Sequence, residues 1–185
     1  MNVPSQQLSA IAPDIGAAGN VDIGDALFRA YCRKLSSGVT LVTSNGAAGW
    51  AGTTVSSVTS VSVTPPIVLC CMSLTSSTVA AIRHSRRFAV NLLAADQSEI
   101  ADRFARPAGE TARFAGLDGR FRESHGAPVL ENALAVGWCE VHALHEIGDR
   151  MVVYGHLFAA EVGAGAPLIW HDRAYREIAA VGGAR

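Results

Sequence analysis

The sequence predicts a mainly β fold, a small closed barrel of six or seven strands with short helices inserted. Three stretches carry that expectation. IVLCCM at 67–72 is an unbroken apolar run, the mark of a strand covered on both sides. ALAVGWCEVHALHE at 133–146 and RMVVYGHLFAAEV at 150–162 are long strand-like runs meeting at Gly148-Asp149. VTLVTSNGAAGW at 39–50 alternates and then breaks at Asn45-Gly46, a type I′ hairpin signal.

The remaining elements follow in chain order. Residues 1–24 begin with an arm rich in Ala, Gly, Ser and Pro, read as flexible, and residues 25–185 as one domain. DIGDALFRAYCRKLSSG at 22–38 sets Leu27, Phe28, Tyr31, Cys32 and Leu35 at helical spacing, with Gly38 as the expected C-cap. A return strand starts near Gly49, and another runs through Val61 and Val63 until Pro65-Pro66 halts it. TSSTVAAIRHS at 75–85 reads as a helix with a hydroxyl N-cap, and FAVNLL at 88–93 as a strand. Asp96 and Glu99 suggest a capping box opening the next helix. Residues 106–130, dense in Gly, read as an irregular excursion, and LIWH at 168–171 as the last strand.

Composition narrows the function classes. The net charge is −1 over 185 residues, which is no footprint for nucleic acid or anionic lipid. Apolar residues make up 49% and charged ones 17%, yet no run reaches the roughly 18 residues of a spanning helix. So apolar a surface suggests cover by a second copy, a homodimer. Cys32, Cys70, Cys71 and Cys139 form no CxxC pair and read as reduced thiols in a cytoplasmic protein without a secretion signal. His142 and His145, three apart on a strand, are expected on opposite faces and not as metal ligands. There is no G-x-G-x-x-G after a strand and no G-x-S-x-G, which argues against a Rossmann site and a hydrolase elbow.

What remains is a hydroxyl-rich stretch flanking the apolar strand. Ser76, Ser77 and Thr78 stand at a helix start, where the helix dipole attracts an anion, although plain capping would use the same residues. Thr53, Thr54, Ser56 and Ser57 suit a ribityl chain or a heterocycle edge, or simply an edge strand. Together they point to a phosphorylated cofactor with a broad ring.

The ordered segments GVTLVT, GWAGTTVSSVTSVSVTPPIVLCC, FAVNLLAADQ, ADRFA, RFAGL, GAPVLENALA, Gly148-Asp149 and PLIWHDRAY resemble the short-chain flavin reductases over about residues 25–178. The resemblance implies a six-stranded Greek-key FMN-binding split barrel, mainly β with short helices. It implies an NAD(P)H:flavin oxidoreductase that passes reduced flavin to a separate monooxygenase. For the flavin, FMN or FAD, it implies contacts from Trp50, Gly52, Thr53, Thr54, Ser56, Ser57, Cys71, Met72, Ser73, Ser77, Thr78, Arg103 and Phe104. For the nicotinamide of NADH or NADPH it implies Arg150, Trp170, His171 and Arg173. Many relatives have His where this chain has Arg150, and Gly where it has Arg86. No side chain is expected to act as a catalytic acid or base, because hydride transfer belongs to the cofactors. Two alternatives stand beside the reductase: a flavin carrier without NADH oxidation, and an oxidase of a phosphorylated vitamin on the same barrel.

Overall fold

A computed structural model describes residues 23–106 and 110–179 of the chain. Most of the arm expected at residues 1–24 lies outside them. The described residues from 35 onward form one compact unit, and residues 23–34 belong to another. The latter contains α1 (Asp25–Cys32), which ends before Gly38 and buries none of its residues. Gly38 falls instead in a two-residue strand, β1 (Ser37–Gly38).

The main sheet is antiparallel and has seven strands. They are β2 (Thr40–Gly46), β3 (Gly49–Val55), β4 (Thr59–Val63), β5 (Pro66–Ser73), β6 (Arg87–Leu92), β9 (Ala135–Ile147) and β10 (Arg150–Val162). Their order is β3-β2-β6-β9-β10-β5-β4. The sheet is split and does not close on itself, so β3 and β4 are its edges; the closed barrel expected from the strand pattern does not form, and the seven strands exceed by one the six that the resemblance implies. Two smaller sheets complete the fold: the hairpin of β7 (Phe121–Ser124) and β8 (Ala127–Leu130), and β1 with β11 (Ile169–His171) and β12 (Ala174–Arg176). The excursion at 106–130 therefore holds a hairpin, whose strands are too short to alternate legibly.

Both faces of the sheet centre are covered, as adjacent side chains show. Val42 packs with Val55, Cys70, Met72, Val79, Ile82, Phe88 and Met151 on one side. Leu41, next to it, packs with Val39, Leu93, Ile100, Phe104, Leu130 and Leu168 on the other. Val79 and Ile82 come from α2 (Ser77–Ser85), and Ile100 and Phe104 from α3 (Ser98–Ala105). Each side chain so buried contributes about 1.5–3 kcal/mol of transfer free energy. Between the layers, fully buried Asn91 donates to Leu41 O at 2.9 Å and accepts from Leu130 N at 2.9 Å, binding β6, β2 and β8.

Several local expectations are corrected. The β2–β3 hairpin turns at Ala47-Ala48, with Gly46 opposite Gly49. Gly46 serves a different need: a Cβ there would lie 2.7 Å from Ala81 Cα, so its hydrogen lets α2 dock on the hairpin. Gln97, not Asp96, caps α3 without a side-chain bond to the helix. Its amide accepts from Ala94 N and donates to Asn132 O, so the capping box does not form. IVLCCM is not covered on both sides throughout: Ile67, Cys70 and Met72 are buried, whereas Val68, Leu69 and Cys71 are half-buried. His142 occupies a β-bulge, since Val141 faces Gly155 and Ala143 faces Tyr154. Val141 and Leu144 thus both pack on the core, which turns His142 and His145 to the same outer face. Among the described residues no group of three or more His, Cys, Asp or Glu is placed to hold a metal ion, and no helix is long and apolar enough to cross a membrane.

Arg86 closes α2 with φ of +60°, the left-handed position where a Cβ costs about 1–2 kcal/mol. That geometry accounts for the glycine of many relatives. Arg86→Gly is expected to raise the unfolding free energy by about 1 kcal/mol in urea titration; equal or lower stability would contradict this. Burial pushes the Cys139 thiol up to about 12 and the Cys70 thiol higher still, Cys70 with added repulsion from Cys139 and Cys71. Unfolded thiols ionise at about 8.5, so this stabilisation is fully present below about pH 8 and is lost as pH rises towards the folded values. The urea midpoint should fall between pH 8 and pH 10.5, and less steeply in Cys139→Ala.

Candidate functional site

The site grows from the point where β5 runs into α2. Ser73 ends the strand; its hydroxyl lies 3.0 Å from that of Thr75. Ser76 N donates to Ser73 O at 3.0 Å, and Leu74 N to Asp149 O at 3.1 Å, which fixes the turn against the β9–β10 connection. Ser76 then caps α2, its Oγ accepting from Thr78 N at 3.2 Å. Thr78 itself is fully buried, and its Oγ1 has no hydrogen-bond partner among the described residues. A buried hydroxyl left in that condition costs about 1–3 kcal/mol. It sits at the positive end of a nine-residue helix, a place suited to a phosphate oxygen.

The second wall is β5 and the connection that reaches it. Ser57 Oγ donates to Cys71 O at 2.9 Å and accepts from Cys71 N at 3.0 Å. Met72 is buried in the core, while Cys71 and Ser73 are half-buried on the opposite face. Arg150 lies across from Ser73 and Val152 across from Cys71. Burial pushes the Cys71 thiol up, and the Arg150 guanidinium pulls it partly back, so the thiol is neutral at pH 7. Arg150 also meets Asp149 at 3.4 Å in an exposed pair, worth little in water.

The third wall, β3, is divided between two neighbours. Its even residues face the layer of α3, α4 (Glu110–Phe114) and β7. Trp50 Nε1 donates to Glu123 Oε2 at 3.4 Å, and its ring meets Phe114 edge-on at 5.6 Å. A Cβ on Gly52 would lie 3.1 Å from the Phe104 ring, and Gly52 O accepts from Arg113 Nη1 at 2.9 Å. Thr54 Oγ1 donates to Ala101 O at 2.7 Å. Thr53, by strand alternation, shares the face of Val55, which belongs to the core against α2. Ser56 is exposed.

The structure thus gathers Ser57, Cys71, Ser73, Arg150, Ser77 and Thr78 around the end of β5, with Thr53 on the α2 side of β3. Arg103 and Phe104 lie in the α3–α4 layer. Arg103 Nη2 donates to Ala112 O at 3.0 Å and to Ala115 O. Phe104 is fully buried, 4.9 Å from Phe114 and 5.8 Å from Phe121 between ring centres. The other nicotinamide candidates belong to the small sheet. Trp170 pairs with Ser37 and meets Tyr175 edge-on at 5.1 Å, and His171 Nδ1 lies 2.8 Å from Ser36 Oγ. Arg173 sits in the β11–β12 turn with φ of +64°. Tyr175 O–H donates to Asp102 Oδ1 at 2.7 Å, connecting this sheet to α3. Arg113, Glu123 and Tyr175 were not singled out by sequence reasoning. Arg113 stood inside a matched segment, RFAGL, but nothing in its spacing marks it. A cleft of about 320 Å³ beside α2 is lined by Leu74, Val79, Ala80, Arg83 and Glu146, and holds none of the expected contacts.

Thr78→Val replaces the orphaned hydroxyl with a methyl of similar shape. The ligand-free protein is expected to gain about 1 kcal/mol in urea titration; a loss would show that the hydroxyl is satisfied in the folded protein.

Comparison with known proteins agrees with this architecture. The family described as "Flavin reductase like domain" matches residues 30–179. The reductase component of 4-nitrophenol 4-monooxygenase/4-nitrocatechol 2-monooxygenase from Rhodococcus opacus is 38% identical over 146 residues, 79% of this chain and 77% of that protein. Actinorhodin polyketide dimerase of Streptomyces coelicolor is 34% identical over 161 residues, 85% of this chain and 89% of that protein. Among solved structures, the NADH:FAD oxidoreductase SgcE6 of Streptomyces globisporus matches with a TM-score of 0.78 and 30% identity over 88% of this chain and 98% of its own; it is also solved with NAD and FAD fragments. By extent of match, order of segments and fold, the chain belongs to the flavin reductase-like family.

Proposed function

We propose that this protein is an NAD(P)H-dependent flavin reductase that supplies reduced FMN or FAD to a separate monooxygenase. The observation that carries the reading is the buried Thr78 hydroxyl, left without a partner at the N-terminus of α2. Those residues fit a flavin phosphate. Ser77 and Thr78 would hold it, with Ser56 and Ser57 along the flavin tail. Cys71 and Ser73 would border the ring, with Thr53 on the α2 side of β3; Trp50, Gly52, Thr54, Arg103 and Phe104 would support β3 from the α3–α4 layer behind it, and Met72 would anchor β5 in the core. The bound flavin supplies the hydride-accepting chemistry, and the chain supplies position. Cys71, neutral at pH 7, offers a wall without charge. Arg150 brings a permanent cation to the rim of that wall, suited to pyridine-nucleotide phosphates. Trp170, His171 and Arg173 would complete nicotinamide binding from the small sheet.

The relative from Rhodococcus opacus is by name the reductase component of a monooxygenase, which supports the same division of labour here. A homodimer is supported by apolar side chains that residues 23–34 and β4 leave exposed: Leu27, Phe28 and Tyr31, and Val61 and Val63. A cytoplasmic location is supported by four free thiols.

Purified protein mixed with NADH or NADPH and FMN or FAD should oxidise the nicotinamide only when flavin is present, followed at its absorbance band. No flavin-dependent oxidation with either nucleotide would leave a carrier. Ser77→Ala with Thr78→Ala should raise the flavin Kd about tenfold, corresponding to about 1.4 kcal/mol. An unchanged Kd would refute the phosphate assignment.

A further inference from the structure

The α3–α4 segment grips the edge strand of the site through one arginine. Arg113 Nη1 donates to Gly52 O at 2.9 Å, and Arg113 Nη2 to Arg106 O at 3.0 Å. The first bond enters β3 from its free edge, where the sheet offers no strand partner. On the same face of Gly52 the Phe104 and Phe114 rings would crowd a Cβ, at 3.1 and 3.3 Å. Gly52 is therefore held twice: its α-carbon is pressed by two rings and its carbonyl is drawn by a guanidinium. Its neighbours at alternate positions are fastened to the same layer, Thr54 to Ala101 O and Trp50 to Glu123.

We propose that Arg113 is a positioning residue for flavin binding, fixing the height and tilt of residues 50–54 through the Gly52 carbonyl. This rests on the reading of the site as a flavin cradle. The argument is one of geometry and charge. An edge strand lacks ladder bonds on one side and is free to shift by fractions of an ångström, whereas a stacked ring tolerates little displacement. A charge-assisted bond to a half-buried carbonyl is stronger than a neutral one and holds a defined direction. By linkage, whatever orders residues 50–54 on the ligand side must also steady residues 112–116 on the other.

The test uses the full chain and both FMN and FAD, with affinity read from quenching of flavin fluorescence. Wild type first establishes binding; its failure to bind either flavin would refute the cradle itself. Given binding, Arg113→Met, which keeps most of the side-chain volume but no donor, should raise the Kd about tenfold or more. It should also alter the visible circular dichroism of the flavin at saturation. Arg113→Lys should recover most of both. Tyr175→Phe frees α3 from the small sheet without touching Gly52 and should leave the dichroism unchanged. A folded Arg113→Met protein with wild-type Kd and dichroism would overturn the proposal, as would an equal dichroism change in Tyr175→Phe. Should Arg113→Met not fold, hydrogen exchange on wild type decides the matter. Saturating flavin should slow exchange at 50–54 and at 112–116 together, and unchanged exchange at 112–116 would overturn the proposal.

Discussion

Much of this fold hangs on two hydrogen bonds made by one serine. The chain leaves β3, an edge of the main sheet, and crosses to β4, the other edge. Where it lands, Ser57 Oγ takes both the N–H and the C=O of Cys71. Thr59 pairs with Leu69 in the β4–β5 ladder, so Ser57 opposite Cys71 carries the same register two residues further, by side chain in place of backbone. A single hydroxyl thus holds the crossing onto β5 where the backbone ladder has stopped, which gives one small alcohol beside the buried strand a structural use.

A second hydroxyl stands differently a few residues on. A helix start normally satisfies its own side chains, and Ser76 does so by capping Thr78 N. Thr78 does not. Its hydroxyl is fully buried without a partner among the described residues, unlike the buried Asn91 amide, which is bonded through both its nitrogen and its oxygen. An unfilled donor in such surroundings lowers stability and is understandable as preorganisation for an acceptor that arrives later. The division of β3 follows the same logic. Residues 50, 52 and 54 are fastened to the α3–α4–β7 layer, which steadies the strand while Thr53 faces the other way.

Much of the architecture was legible in the residues. The paired runs around Gly148-Asp149 and the hydroxyl cap of α2 stand where their patterns indicate, and IVLCCM is a strand as expected though half-buried on one face, because local sequence and tertiary demand agree there. The misreadings have physical causes. Asn45-Gly46 looks like a turn, but its glycine is required by the approach of α2, and the turn falls on Ala47-Ala48. His142 breaks strand alternation because a bulge carries no compositional mark. Asp96 lost its capping role to Gln97, whose side chain was drawn to Ala94 N and to the carbonyl of Asn132. Of the candidate site, the hydroxyl-rich stretch around 53–78 is visible in the composition alone. The α3–α4 layer is not, since Arg113 acts across 61 residues of sequence on a backbone carbonyl. Long-range side-chain-to-backbone bonds leave no periodic trace.

The central claim is that the open end of β5, with Ser57 on one side and the N-terminus of α2 on the other, receives a flavin nucleotide phosphate-first. A crystal structure of the protein with FMN tests it most directly. The account predicts a phosphate oxygen within hydrogen-bond distance of Thr78 Oγ1 and the ring beside Cys71. A flavin bound elsewhere, with the Thr78 hydroxyl still buried and without a partner, would contradict it.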